Sequence, residues 1–222
     1  MTRLHVEVTA DSSFGTNSYL VEDEDTHHAV VIDSNLDPEQ MIDLARERRV
    51  NVKAILLTHT DIDHIAGLHE LREGFGQVPV AVHDAELHVL AEGRPLRLEF
   101  GPLATRVENV TSLVEGERFR AGSLEFEVLH TPGHSPGGVS LKIDGYLFTG
   151  DALFAGSIGR HDFANSDGAA LLEGIRSKLL AQPDDMIVYS GHGPATTIGR
   201  ERKMNPFLTG AGGSGSPRGT PL

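Results

Sequence analysis

Short apolar runs alternate with polar, turn-forming stretches along most of the chain. Leu4–Val8, Tyr19–Val21 and Ala29–Ile32 read as β-strands. Asp37-Pro38 marks a helix start, with Asp as the cap and Pro at the first helical position. Met41, Ile42, Leu44 and Ala45 then supply its apolar face. Ala54–Leu57 is apolar without interruption, as expected of a strand buried on both faces. Val78–Val82 predicts a further strand and Asp84–Ala91 a helix. Leu124–Leu129, Val139–Ile143 and Tyr146–Phe148 predict strands. Asp167 caps a helix running to about Leu180, with Leu171, Leu172, Ile175 and Leu179 on one face. Met186–Tyr189 is the last strand. The mixture of strands and helices indicates an α/β fold.

Against this pattern the polar residues at the strand ends stand out. Directly after Ala54–Leu57 come Thr58-His59-Thr60-Asp61-Ile62-Asp63-His64, four candidate metal ligands within six residues. Imidazoles and carboxylates crowded in this way are unfavourable unless a cation offsets their repulsion and desolvation. His134, Asp151 and His192 follow at wide intervals, each just beyond a predicted strand. Loops at one rim of a sheet can bring all seven together, the usual place for chemistry in α/β sheets. A helix-capping turn is the plainer reading of Asp61 and Asp63, but it leaves His59, His64 and the distal residues unexplained. His5, His27, His28, His69, His83 and His88 lack such surroundings and read as surface or packing residues.

Composition narrows the chemistry. A chain of 222 residues suits one domain, here 1–207, followed by a flexible Gly/Ser/Pro tail at 208–222. The sequence has no cysteine, so any metal must be held by imidazole and carboxylate, which suits zinc, iron or manganese. A formal charge of −13 disfavours a nucleic-acid partner. No run is long enough to span a membrane and Met1–Glu7 lacks the apolar core of a secretory signal, so a cytoplasmic protein is expected.

The seven residues, in order and type, resemble the metallo-β-lactamase superfamily. The motif there is Thr-His-x-His-x-Asp-His followed by a distal His, an Asp and a final His. Flanking blocks narrow the resemblance to the glyoxalase II branch. They are Thr131-Pro132-Gly133-His134-Ser135-Pro136-Gly137-Gly138, Phe148-Thr149-Gly150-Asp151-Ala152-Leu153-Phe154, Gly156-Ser157-Ile158-Gly159-Arg160 and Ser190-Gly191-His192-Gly193-Pro194. The resemblance spans about residues 4–207 and implies an αββα sandwich, two mixed β-sheets flanked by helices. It also implies a metal-dependent hydrolase of an acyl-thiol ester, of the short single-domain type, with a small-molecule thioester as substrate. Two divalent ions (zinc, iron or manganese) would be held by His59, residue 61 and His134 at one site. Asp63, His64 and His192 would form the other, with Asp151 bridging. Such a pair can hold a shared hydroxide and polarise a carbonyl. Asp63 and Asp151 are thus the candidate catalytic residues, with Asp63 able to orient the water instead.

Asp61 stands where the motif has its second histidine. It can bind the metal directly, through water, or not at all. If ionised and bound, it brings the charge of the centre to neutrality, so the nucleophile would form only at higher pH. Arg160 is the candidate substrate-binding residue for an anionic group, with a salt bridge to Asp162 as the alternative. Asn17 and Tyr19 are expected to support the site or the fold. Asp33 is either a support for the metal loop or a turn residue. A mononuclear iron persulfide dioxygenase, holding one iron on residues matching His59, His134 and Asp151, is the alternative activity. A non-catalytic binding protein is the third reading. Absence of cysteine excludes the β-lactamases that use a cysteine ligand.

Overall fold

The computed structural model describes residues 3–97 and 106–210. The first half forms β1 (Leu4–Ala10), β2 (Asn17–Asp23), β3 (His28–Ile32), α1 (Pro38–Arg48), β4 (Asn51–Leu56), α2 (Ile62–Ile65), α3 (Leu68–Gly74), β5 (Val80–His83), α4 (Leu87–Glu92) and β6 (Thr111–Leu113). Then come β7 (Arg118–Ala121), β8 (Leu124–His130), β9 (Val139–Ile143), β10 (Tyr146–Gly150) and the small hairpin β11 (Leu153–Phe154) and β12 (Ser157–Ile158). Next are α5 (Gly168–Gly174), β13 (Ile187–Ser190), β14 (Thr196–Thr197), α6 (Ile198–Met204) and α7 (Pro206–Thr209).

Strands β1 to β6 make one six-stranded sheet in sequence order, antiparallel up to β3 and parallel beyond it. The other six-stranded sheet has the order β14-β13-β10-β9-β8-β7, with β10 and β13 parallel. Both sheets are therefore mixed. Alternation along buried strands decides how they stack. Ala29 and Val31 of β3 pack with Met41, Ile42, Leu68 and Leu71 of α1 and α3. Val30 and Ile32 face Phe126, Val128, Leu141 and Phe148 of the second sheet. That sheet turns Leu147 and Val188 outward to Leu171, Ile175, Leu179 and Ile198. The layers run helix, sheet, sheet, helix, as the αββα reading requires.

Local outcomes refine the sequence reading. Pro38 opens α1, but the Asp37 carboxylate makes no capping bond to the helix; it accepts from Ser12 N at 3.2 Å. The helix expected from Asp84 begins as a 3-10 turn, Asp84–Glu86, before α4. Asp167 does cap α5, accepting from Ala169 N and Ala170 N, and the helix continues as a π-helical turn over Ile175–Leu179. Helix α7 reaches Thr209, two residues into the expected tail, with Phe207 and Leu208 packed against the third core. The remainder of that tail, 211–222, lies outside the described residues.

The stacking places several strand ends at one rim. β4 runs out into Thr58-His59, β10 into Asp151, β13 into Gly191-His192, and β8 towards His134. Val139 N donates to Thr58 O at 2.8 Å and ties the two sheets together at that edge. Gly191 N donates to Gly150 O at 2.8 Å beside it. A side chain at Gly191 would overlap Asp151 Oδ1, so glycine is required for this close approach.

Candidate metal centre

Six of the seven expected ligands converge in two groups. His59, His134 and Asp151 each offer a donor atom within 4.8 Å of the others, and so do Asp63, His64 and His192. Asp151 lies between the groups. Its Oδ1 is 3.4 Å from His64 Nε2, and its Oδ2 is 3.5 Å from His192 Nε2 and 3.6 Å from His134 Nε2.

The surroundings aim the donors inward. His134 Nδ1 donates to the Arg160 carbonyl at 2.7 Å, which turns Nε2 to the centre. His64 Nδ1 donates to Asp33 Oδ2 at 2.9 Å. Asp33 also accepts from Thr58 N at 2.7 Å and Thr58 Oγ1 at 2.8 Å, from a left-handed backbone of φ 60°. Both expectations for Asp33, support and turn, are therefore met in one residue. Asn17 Nδ2 donates to the carbonyls of Ser190 and Gly193, and the Tyr19 hydroxyl to Ser190 O at 2.6 Å. These bonds fix the loop that carries His192.

Whether the donors suit a cation can be judged from what they leave unsatisfied. Among the described residues, His59 Nε2, His64 Nε2 and Asp151 Oδ1 are buried without a hydrogen-bond partner, and so are Asp61 Oδ1 and His192 Nδ1. Buried polar atoms of this kind are normally paired. Three unpaired atoms aimed at common points, on imidazole and carboxylate, fit divalent metal ions well. The electrostatics agree. Burial, reinforced by His64, pushes His59 down to about 3, so it is a neutral donor. At His192 burial is outweighed by Asp151 and Asp63, which push it up to about 10. Burial also opposes ionisation of Asp151, but His192 and His64 hold its carboxyl well below the usual range. The carboxylates at this centre therefore demand nearby positive charge.

Asp61, the seventh expected ligand, adjoins the group of His59 and His134. Its Oδ2 lies 3.0 Å from His134 Nε2 and 3.7 Å from His59 Nε2, but it is ion-paired to Arg97 Nη1. Sequence reasoning missed Arg97, which has no motif around it. It also missed Glu86, a buried carboxylate that accepts from Thr60 N and Thr60 Oγ1 at 2.6 Å and from Gly137 N at 2.7 Å. Glu86 thereby joins the loop of His59 to the loop of His134. Thr16 was missed as well; its hydroxyl donates to Asp63 Oδ2 at 2.7 Å. A polar residue in a run of otherwise helical pattern was the only signal for Glu86.

The centre opens into a cleft of about 430 Å³ with Phe14, Phe154, Ile158 and Phe163 among its apolar walls. Arg160 lines it, half-exposed, with its guanidinium 4.2 Å from the Phe163 ring centre. The Asp162 carboxylate takes Arg160 Nε at 3.0 Å and Nη2 at 3.2 Å, the salt bridge considered as the alternative.

Comparison with known proteins agrees with this architecture. A family model described as the metallo-beta-lactamase superfamily matches residues 12–192. A hydroxyacylglutathione hydrolase, GloC of Haemophilus influenzae, is 35% identical over 218 residues, covering 92% of this chain and 98% of its own. Among solved structures, the BLEG-1 B3 metallo-beta-lactamase is 37% identical with a TM-score of 0.84, covering 92% of this chain and all of its own. TTHA1623, solved in a di-iron-bound form, is 35% identical with a TM-score of 0.79, covering 91% of this chain and 100% of its own. Among the described residues no helix is long and apolar enough to cross a membrane.

Proposed function

The chain belongs to the metallo-β-lactamase superfamily, and on that footing we propose that it is a metal-dependent hydrolase of an acyl-thiol ester, of the hydroxyacylglutathione type. The observation that carries this reading is the pair of three-donor groups joined through Asp151 at the floor of an apolar-walled cleft. His59, His134 and Asp151 would hold one divalent ion, and Asp63, His64 and His192 the other. The relative titled a hydroxyacylglutathione hydrolase supports the thioester, and the di-iron-bound neighbour supports two metals.

When bound, two such ions supply an activated water and a Lewis acid for the carbonyl. The protein's own groups do the rest. Asp63 is kept ionised and oriented by Thr16, His64 and His192. Phe14, Phe154 and Phe163 exclude water and seat the acyl chain. Arg160 exchanges Asp162 for an anionic group on the thiol carrier, a swap that an exposed ion pair resists only weakly. The substrate is a small molecule and the protein works in the cytoplasm.

Steady-state hydrolysis of lactoyl-glutathione by metal-loaded protein tests the reading, with a chromogenic β-lactam assayed in parallel. Thioester turnover that exceeds β-lactam turnover is the expected result. Failure to hydrolyse any thioester at full metal loading would overturn it. A second reading has its own support. His59, His134 and Asp151 alone make the two-histidine, one-carboxylate set that suits a single iron. Oxygen consumption with a thiol persulfide would favour that dioxygenase.

A further inference from the structure

Asp61 has the surroundings of an ion-pair partner. Arg97 is 6% exposed, and among the described residues Asp61 is the carboxylate within ion-pair distance of it. The guanidinium is held at three nitrogens. Nη1 donates to Asp61 Oδ2, Nη2 to the His134 carbonyl at 2.7 Å, and Nε to Asn165 Oδ1 at 3.3 Å. Its face lies 3.7 Å from the Phe163 ring centre. Only Nη1 meets the carboxylate; the contacts at Nη2, Nε and the ring face fix the guanidinium in place against it. Burying such a cation without a counter-charge is unfavourable, so Arg97 and Asp61 require each other.

The consequence falls on the neighbouring group. Asp61 Oδ2 lies 3.0 Å from His134 Nε2 and 3.7 Å from His59 Nε2, and this same atom accepts from Arg97 Nη1, so the guanidinium competes with any cation for it. Oδ1 makes no hydrogen bond among the described residues, and the carboxylate is anchored there through Oδ2.

We propose that Arg97 is a positioning residue that holds Asp61 as a neutral ion pair beside the centre, leaving His59, His134 and Asp151 as the protein donors of that group. The pair replaces the neutral histidine of the family motif with a neutral unit of different shape. An ionised, uncompensated Asp61 would have brought the centre to charge neutrality; with Arg97 counted, the positive charge is retained. The expectation of a requirement for higher pH is thereby removed. This inference rests on the metal-binding part of the proposed function and is independent of the thioester.

Cobalt(II) binding tests it, measured by chelator competition and visible absorption on wild type, Asp61→Asn, Arg97→Met and the double variant. Changing one unit charge beside a divalent ion should shift affinity by about tenfold or more. Arg97→Met frees the Asp61 carboxylate, so it should bind cobalt at least about tenfold tighter, with an altered spectrum. Asp61→Asn leaves the guanidinium uncompensated and should bind about tenfold more weakly. The double variant should return to within about threefold of wild type, with the wild-type spectrum. A double variant as weak as Asp61→Asn would make Asp61 a direct ligand and overturn the proposal. Unchanged affinity and spectrum in Arg97→Met would overturn it too. Should Arg97→Met not fold, Arg97→Gln keeps a donor towards Asp61, removes only the charge, and carries the same expectation of tighter binding. No turnover enters the readout, so a wrong thioester assignment leaves this result intact.

Discussion

The two ligand groups share Asp151 but are built differently. Asp63, His64 and His192 keep the family letters and are held by Thr16, Asp33, Asn17 and Tyr19, residues of the first sheet and its turns. His59 and His134 sit beside a substituted position, and their loops are joined by Glu86 and Arg97 from the α4 region and the segment after it. One group is conventional and supported from nearby strands. The other tolerates a changed letter because a distant arginine compensates its charge. The lesson is that a motif position can change while its net charge is conserved by a residue outside the motif.

Substitutions can break that contrast in stages. Asp151→Ala removes the carboxylate common to both groups, so metal content should fall towards zero and hydrolysis by about a thousandfold or more. His192→Ala should remove metal from its own group only, and elemental analysis of the two variants side by side would show the difference. Next comes Asp33→Ala, which frees the His64 ring and leaves Thr58 N unpaired. Losing such an orienting carboxylate should weaken metal binding about 10–100-fold, directly at His64 and, through Thr58 beside His59 Nδ1 at 3.0 Å, in the other group as well, read by chelator competition. Glu86→Gln is the matching test on the other side. It keeps the shape but cannot accept all three hydrogen bonds, and thermal or denaturant unfolding should show a loss of about 1–3 kcal/mol. The smallest effect is expected from Arg160→Ala. An exposed pair contributes about 1 kcal/mol or less, so KM for an anionic thioester should rise a few-fold to about tenfold with kcat little changed.

Much of this was legible in the sequence because the signals were local. Ala54–Leu57 reads as a doubly buried strand, and it is one, with the ligand loop at its end. The six converging ligands sit in blocks whose glycines permit close approach, as at Gly191. The short strands β6, β7, β11, β12 and β14 were not legible. Arg118-Phe119-Arg120-Ala121 becomes a strand because β8 supplies its partner, not because of its composition. Arg97 was invisible for a related reason. It is 36 residues from Asp61 in the chain, and only the tertiary fold brings the charges together. Asp37 shows the opposite failure, since its cap signal was present but its carboxylate takes Ser12 N and the Gln40 side chain in place of the helix backbone.

On the proposed function both groups bind metal, and Asp151 serves each. The most direct test of this is the metal content of protein saturated with a divalent ion and freed of excess, compared with His192→Ala. About two equivalents per chain are expected for the wild type and about one for the variant. A single equivalent in both proteins, retained on His59, His134 and Asp151, would contradict it.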